Sequence, residues 1–251
     1  MTDLPAEAFA KVGAPELLSI IVPVYNEVRT VRAVIERLLA IDLPVARQIL
    51  VVDDASTDGT REELQAVMRE WEGRQPSLAH GLTVLHADRN GGKGTAIRHG
   101  LTHARGSIVA IQDADLELDP AELKELVAPI LRGDTAVVYG SRFLNGRGTA
   151  PLKTYVANRV LTGMTNVLFG SSLTDMETCF KVMRTGVARS LGLVSERFEI
   201  EPEITARLLQ QGHRIHELPV RFEPRSRAQG KKIGWRDGVQ SVSLLIRERF
   251  R

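Results

Sequence analysis

The chain has 251 residues, 43% of them hydrophobic, and its 33 Lys and Arg against 31 Asp and Glu leave a formal net charge of +2. This composition suffices for one large globular core, and the near-neutral charge gives no reason to expect a nucleic-acid partner. A single cysteine, Cys179, excludes an internal disulfide framework and is typical of a reducing compartment.

Targeting signals are not expected in this chain. Residues 1–16 carry acidic residues and two prolines instead of the apolar core of a signal peptide. No stretch approaches the roughly 18 unbroken apolar residues that a membrane-spanning helix needs. The six histidines lack the spacing of a structural zinc site. We therefore expect a cytoplasmic protein.

Short apolar runs alternate with segments of helical periodicity through the first half of the chain. This pattern is typical of a parallel sheet flanked by helices. Five strands are predicted, at residues 17–24, 48–54, 82–87, 107–113 and 135–141. Right-handed crossovers bring the carboxyl ends of such strands to one edge, where ligands of open α/β sheets bind. The expected fold class is α/β, a Rossmann-like, mostly parallel sheet in a single domain.

Apolar residues at helical spacing predict the connecting helices. Asn26 is the predicted N-cap of the first helix, with Glu27 in its first turn. Asp119 is predicted to cap a helix over 120–132, with a proline at its first position, and a further helix is predicted over 151–169. The stripes of the first two helices are Val31, Val34, Ile35 and Leu38, and Leu64, Val67, Met68 and Trp71.

Polar residues follow four of the predicted strands directly. They are Asn26-Glu27, Asp53-Asp54, the glycine turn 90–95 and Asp113-Ala114-Asp115. Loop capping by Asp and Asn explains any one of them singly. Because the strand ends meet at one edge, we expect the four clusters together to line one crevice.

The acidic run after the fourth strand is a candidate metal site. In extended backbone, residues two apart point to the same side, so Asp113 and Asp115 could face one hard cation. A magnesium or manganese ion held by two carboxylates keeps positions open for phosphate oxygens. Glu117 extends the row and ranks below the two aspartates. The alternative is a solvated acidic turn that leads to Asp119.

The glycine turn NGGKGT (90–95) matches neither the Walker phosphate loop nor the dinucleotide-binding fingerprint. What remains is a helix N-terminus with exposed amides, where Lys93 and Arg98 could attract an anion. An ordinary helix start explains the turn nearly as well.

Five ordered motifs resemble those of family 2 glycosyltransferases: IVPVYNE, VVDDASTDGT, NGGKGTAIRHG, QDADLE and VYGSRF. The similarity runs from Leu17 to Phe222 and is greatest to the polyprenyl-phosphate mannosyl- and glucosyltransferases. The resemblance implies a GT-A fold, a nucleoside diphosphate sugar of the GDP-mannose or UDP-glucose class, and Mg²⁺ or Mn²⁺. It also implies an N-terminal extension (1–16), a catalytic domain (17–223), and a basic acceptor loop with a C-terminal amphipathic helix (224–251).

The resemblance also suggests roles for single residues. The expected donor-binding residues are Pro23, Tyr25, Glu27, Asp54, Lys93, Asp113 and Asp115. The first three would border the nucleoside, and Asp54 would read the base edge. The two aspartates would be the D-x-D metal motif, where a metal stabilises charge on the departing diphosphate.

Arginines in the second half match positions that hold phosphates in the polyprenyl-phosphate branch. Arg142 and Arg159 are expected in this role because a planar guanidinium grips two phosphate oxygens. A solvated surface arginine is the alternative, and it weighs more for Arg159. The tail adds three expected acceptor contacts, Arg225, Arg227 and Lys231.

The segment LTDMETCFKVM (173–183) resembles the family's D-x-x-x-G-F-[KR] segment, with Cys179 in place of glycine. Asp175 is the candidate for contacting the transferred sugar. A phosphate acceptor, with a second pKa of about 6, is already an anionic nucleophile and needs no base. A sugar hydroxyl would need one, and Asp175 would then supply it. The expected catalytic residues are Asp115, Asp175 and Arg142.

The tail also carries an apolar helical stripe, formed by Trp235, Val239, Val242, Ile246 and Phe250. Docking of this helix on the core or across a dimer is favoured. The functional alternative is contact with an anionic membrane, where a lipid-phosphate acceptor lies.

These inferences predict a metal-dependent, inverting glycosyltransferase that moves mannose or glucose from a nucleoside diphosphate sugar to a polyprenyl phosphate. Peripheral contact with the inner face of the membrane and a homodimer remain open. A saccharide or small-molecule hydroxyl is the alternative acceptor, and a non-catalytic nucleotide-sugar binding module is the third interpretation.

Overall fold

The computed structural model describes residues 16–72, 80–225 and 235–251. These residues form one seven-stranded sheet with helices on both faces. The strands, β1 to β7, are Leu17–Val24, Ala46–Asp53, His80–His86, Ile108–Ile111, Val137–Ser141, Lys181–Arg184 and His216–Pro219. The helices, α1 to α8, are Val31–Ala40, Thr60–Glu72, Lys93–His103, Leu123–Leu131, Leu152–Phe169, Thr185–Ser190, Ile200–Gln210 and Trp235–Arg249.

The sheet is mostly parallel, with the strand order β3-β2-β1-β4-β6-β5-β7. Strand β6 pairs antiparallel with both of its neighbours, β4 and β5. Because β4 and β5 both run against β6, their carboxyl ends still lie at the same edge as those of β1 and β2. The predicted α/β class with a mostly parallel sheet is confirmed.

Both faces of the sheet are apolar, as expected for strands covered by helices on either side. Alternate strand residues point to opposite faces. Ile20 therefore packs in the core cluster that includes α1, α2 and α4, and Ile21 packs in the cluster that includes α3, α6 and α7. The four residues of the predicted α1 stripe are fully buried. Asp119 caps the turn into α4 as predicted, because its Oδ1 accepts from the Ala121 amide at 3.1 Å.

The prediction of five strands omits β6 and β7. Each has only four residues, and each contains charged residues, such as Lys181 in β6 and Glu217 in β7. Such short polar strands carry no alternating hydrophobic signal. Of the predicted N-terminal extension, only Glu16 lies within the described residues, and its Oε1 accepts from Arg184 Nη1 at 2.6 Å.

The predicted N-cap of α1 is wrong. The helix begins at Val31, and Asn26 adopts a left-handed backbone conformation with φ of 52°. The Oδ1 of Asn26 instead accepts from the Thr57 amide at 2.7 Å. Glu27 therefore lies in the loop before the helix, where its carbonyl accepts from the Thr30 and Val31 amides.

Helix α8 docks against α5 and α7, but with a different face from the predicted stripe. Its buried residues are Ser241, Leu244, Leu245 and Glu248. Glu248 pairs with Arg207 of α7, with Nε and Oε2 3.3 Å apart, so the docked face contains a buried ion pair beside its leucines. In the predicted stripe, Val239, Ile246 and Phe250 are exposed, and the side chain of Trp235 lies outside the described residues.

Gly94→Ala is expected to destabilise the protein by about 1–3 kcal/mol, because a Cβ at this position overpacks the start of α3. That Cβ would lie 2.4 Å from the Ser195 carbonyl oxygen, a backbone atom of a neighbouring loop. Gly163→Ala is the matched control in α5, where an added Cβ meets nothing within 4 Å. It should stabilise the helix by about 0.5–1 kcal/mol. Urea unfolding of both variants measures the difference, and equal stabilities would contradict the packing argument.

Candidate active site

A cavity of about 690 Å³ opens at the edge where the carboxyl ends of β1, β2 and β4 meet. This is the position and size of a typical ligand site in an open α/β sheet. The predicted residues that line it are Pro23, Tyr25, Glu27, Asp54, Lys93, Asp113, Asp115, Glu117, Arg142 and Arg225. The structure therefore brings the four predicted polar clusters, or residues from them, into one cleft.

The pair Asp113 and Asp115 lies in the loop after β4 rather than in the strand. Strand β4 ends at Ile111, and Leu116 has a φ of 62°. Lys93 Nζ lies 2.7 Å from Asp113 Oδ1 and 2.8 Å from Glu201 Oε1. Burial lowers the pKa of Lys93, but the charges of Asp113 and Glu201 outweigh it and hold that pKa well above its ordinary value. Lys93 is thus a fixed cation beside Asp113.

Arg225 binds the second aspartate and two neighbouring acids. Its Nη2 lies 2.7 Å from Asp115 Oδ2, and its Nη1 lies 2.9 Å from Glu27 Oε2. Its backbone amide donates to Glu117 Oε1 at 2.9 Å. The guanidinium therefore brings Glu27 together with the acidic run that contains Asp115 and Glu117.

The carboxyl group of Asp115 has a strongly perturbed pKa. Burial raises the pKa of Asp115 to about 7, the negative charges of Asp113 and Glu117 act in the same direction, and Arg225 opposes them. Near neutral pH, a substantial fraction of Asp115 is therefore protonated, and any cation that binds it competes with a proton.

The carboxylate of Asp54 binds the backbone amides of the glycine turn. Its Oδ1 accepts from the Gly91 amide at 2.8 Å, and its Oδ2 accepts from the Gly92 amide at 2.7 Å. The turn was expected to offer exposed amides to a ligand, but these two amides already bind a carboxylate of the chain. Asp54 lines the cavity while it fixes the N-terminal end of α3.

Arg142 is anchored from behind by Asp175. Its Nε lies 2.7 Å from Asp175 Oδ2, and its Nη2 lies 2.8 Å from Oδ1. The guanidinium carbon is 5.2 Å from the ring centroids of Phe143 and of Phe222. Burial raises the pKa of Asp175, but the charge and hydrogen bonds of Arg142 prevail and hold it below its usual value.

Asp175 and Arg159 are not on the cavity wall. Asp175 is fully buried, and Asn158 Nδ2 donates to it at 2.6 Å in addition to the bonds from Arg142. Its position suits holding Arg142 rather than contacting a sugar. Arg159 is exposed on α5, with Nη1 3.4 Å from the Thr174 carbonyl oxygen. Arg227 and Lys231 lie outside the described residues.

Three acidic wall residues are not among those predicted from the sequence: Glu177, Glu201 and Asp237. Glu201 lies in the first turn of α7 and bridges Lys93 and Lys181. Acids in a first helical turn are common for reasons of the helix dipole, so the sequence carried no special signal for it. Glu177 follows Asp175 by two residues, and that spacing was the available signal.

Comparison with known proteins agrees with this geometry. The family model described as Glycosyl transferase family 2 matches residues 19–192. Dodecaprenyl-phosphate galacturonate synthase of Rhizobium johnstonii is 28% identical over 85% of this chain and 61% of its own length. Undecaprenyl-phosphate 4-deoxy-4-formamido-L-arabinose transferase of Edwardsiella ictaluri is 26% identical over 86% of this chain and 63% of its own length. The chain thus spans less than two thirds of these relatives.

Solved structures share the fold. Glucosyl-3-phosphoglycerate synthase from Mycobacterium tuberculosis, in complex with Mg²⁺ and UDP, superposes with a TM-score of 0.70 at 18% identity. The alignment covers 99% of this chain and 84% of that one. Since the family model covers most of the chain, including the strands that form the cleft, this protein belongs to glycosyl transferase family 2.

Proposed function

We propose that this protein is a metal-dependent, inverting glycosyltransferase that moves a hexose from a nucleoside diphosphate sugar to a polyprenyl phosphate. The observation that carries the proposal is a single cleft with acids on one part of its wall and an anchored arginine on another. Asp113 and Asp115 supply the acids, and Arg142 supplies the cation. Two relatives named for transfer to polyprenyl phosphates support the choice of acceptor.

Asp113 and Asp115 fit a divalent cation in their chemistry. Both are hard oxygen ligands on the cavity wall, and each already holds a positive group of the chain, Lys93 and Arg225. The described residues contain no group of three or more His, Cys, Asp or Glu that could hold a metal by themselves. A shell completed by diphosphate oxygens suits two carboxylates. When bound, the cation would neutralise charge on the leaving diphosphate.

Arg142 would bind the phosphate of the acceptor. Arg142 is held rigid by Asp175, and its hydrogen bonds to that aspartate use Nε and Nη2 but not Nη1. A phosphate on the acceptor can bind this preorganised guanidinium at little entropic cost. Because a phosphate monoester is anionic at neutral pH, it attacks the sugar directly without a base and inverts the anomeric centre.

A donor and acceptor panel tests this proposal. UDP- and GDP-hexoses are incubated with Mn²⁺ or Mg²⁺, with and without a short polyprenyl phosphate, and nucleoside diphosphate release is measured. Release that requires the polyprenyl phosphate is the expected result. Release that requires a saccharide instead would move the assignment to a hydroxyl acceptor, and donor binding without release would favour a non-catalytic module.

We further propose that α5 and α8 meet an anionic membrane surface, where a polyprenyl phosphate would be found. The exposed apolar residues of these two packed helices and of the segment just after α8 are Leu152, Val156, Val160, Val167, Val239, Ile246 and Phe250. Exposed basic residues accompany them: Lys153, Arg159, Arg247, Arg249 and Arg251. No helix in the described ranges is long and apolar enough to cross a bilayer. This surface suits peripheral contact.

Val160→Glu combined with Phe250→Glu is expected to reduce binding to vesicles of equal parts phosphatidylglycerol and phosphatidylcholine by about fivefold or more. Each change removes buried apolar area from the contact and adds a repelling charge. Co-sedimentation measures the bound fraction. Val194→Glu is the control, because Val194 is 52% exposed but lies on neither helix. Equal binding of the two variants would refute the assignment of this surface.

A further inference from the structure

Glu177 is held on the cavity wall by a firmly fixed backbone. The neighbouring Met176 amide donates to Thr162 Oγ1 at 3.1 Å, and the Met176 carbonyl accepts from Lys181 Nζ at 3.0 Å. On the other side, Thr178 Oγ1 donates to the Gly140 carbonyl at 2.6 Å. These bonds fix the chain on both sides of Glu177, so its side chain has a defined place in the cleft.

The carboxyl group of Glu177 is sealed from solvent at Oε1 and has no hydrogen-bond partner there among the described residues. Other acids of the same wall are engaged: Glu27 and Asp115 by Arg225, and Asp113 by Lys93. A buried oxygen without a hydrogen-bond partner destabilises the folded protein. Its presence on the wall of a ligand cavity indicates that a ligand supplies the missing hydrogen bond.

The protonation of Glu177 limits what that ligand can be. Burial raises its pKa to about 7, the Lys181 charge opposes this, and the Glu201 charge adds to it. Near neutral pH, much of the group is therefore a neutral acid, which can both donate and accept a hydrogen bond. A sugar hydroxyl has the same dual capacity, whereas a phosphate oxygen only accepts and is repelled by the ionised form.

We propose that Glu177 binds a hydroxyl group of the transferred sugar and so helps to select the sugar. This inference rests on the proposed function, since it presupposes a nucleotide sugar in the cleft. Glu177 takes the sugar contact that the sequence assigned to Asp175, which lies behind Arg142 and off the cavity wall.

Two substitutions in the full chain separate this role from others. Glu177→Leu should weaken binding of UDP-glucose or GDP-mannose, whichever the wild type uses, by about 10- to 100-fold. Glu177→Gln keeps a neutral group that donates and accepts, so its affinity should stay within about threefold of the wild type. Binding of UDP or GDP alone should not change in either variant. Isothermal titration calorimetry measures all of these affinities.

Monodeoxy donors identify the contact itself. One analogue, lacking the hydroxyl that Glu177 binds, should have equal affinity for the wild type and for Glu177→Leu, because neither complex can form the hydrogen bond. Glu199→Leu is the matched control: Glu199 Oε2 is also sealed and without a partner among the described residues, but Glu199 is off the cavity wall. Its donor affinity should match the wild type.

Several results would overturn the inference. Loss of turnover in Glu177→Gln with unchanged donor affinity would make Glu177 a general base. If Glu177→Leu lost as much affinity for the nucleoside diphosphate alone as for the full donor, Glu177 would have a purely structural role. The same would follow if the variant lost affinity equally for every monodeoxy donor. If the wild type bound no nucleotide sugar at all, both the proposed function and this inference would fail. That failure can be told apart from the failure of the inference alone, because it is seen in the wild type without any variant.

Discussion

Asp115→Asn is expected to lower metal-dependent turnover about a thousandfold or more while the protein remains folded. The substitution keeps the size of the side chain and removes the charge that a divalent cation needs. Because Asp115 lies among Asp113 and Glu117, loss of its charge also relieves repulsion between like charges. Nucleoside diphosphate release measures turnover, and Mn²⁺ binding followed by electron paramagnetic resonance should be lost in parallel.

Asp119→Ala is the matched control from the same acidic run. Asp119 caps the turn before α4 and lies at the surface, so its loss should cost about 1 kcal/mol of stability and leave turnover unchanged. The pH dependence adds an independent check. Since Asp115 must be ionised to bind metal and its pKa is about 7, Mn²⁺ affinity should rise between about pH 6 and pH 8. Full turnover in Asp115→Asn would refute the metal assignment.

Asp175→Ala is expected to destabilise the protein by about 3–5 kcal/mol. The change leaves the guanidinium of Arg142 buried without its partner and frees the amide of Asn158. For a chain of this size, the loss should lower the thermal unfolding midpoint by roughly 10 °C. Use of the phosphate acceptor should fall as well, because Arg142 loses the carboxylate that orients it.

Asp134→Ala is the control for the stability loss of Asp175→Ala. Asp134 pairs with Arg132 at 2.8 Å, but both side chains are more than half exposed, so the loss should be below about 1 kcal/mol. Asp175→Asn distinguishes anchoring from catalysis. If Asp175 removed a proton from a substrate, this variant would lose turnover while retaining its stability, and the anchoring role would be wrong.

The fold could be predicted wherever buried apolar runs were long. Strand β1 has eight residues with a nearly continuous apolar sequence, and its predicted bounds agree with the observed ones. Strand β6 has four residues and includes Lys181, which is fully buried only because Glu201 and two backbone carbonyls accept from it. Those partners are supplied by tertiary structure, which no local pattern in the sequence reveals.

The positions of those site residues that directly follow the strands could be predicted from the sequence. Because parallel strands end at one edge, residues such as Glu27, Asp54 and Asp113 could be placed in one cleft from the sequence. The hydrogen-bond partner of each of these side chains could not be predicted. The carboxylate of Asp54 accepts from the amides of the glycine turn, and that of Asp175 accepts from Arg142. Both contacts depend on distances between segments that are not evident from the sequence.

Under the proposed function, the guanidinium of Arg225 couples the binding of a cation to that of a nucleotide. A divalent cation held by Asp115 would compete with this guanidinium, which pairs with Asp115 and also with Glu27. The diphosphate of a bound nucleotide would offer the guanidinium another anionic partner. Cation and nucleotide would then be thermodynamically linked through one side chain, so that each should raise the affinity of the cleft for the other.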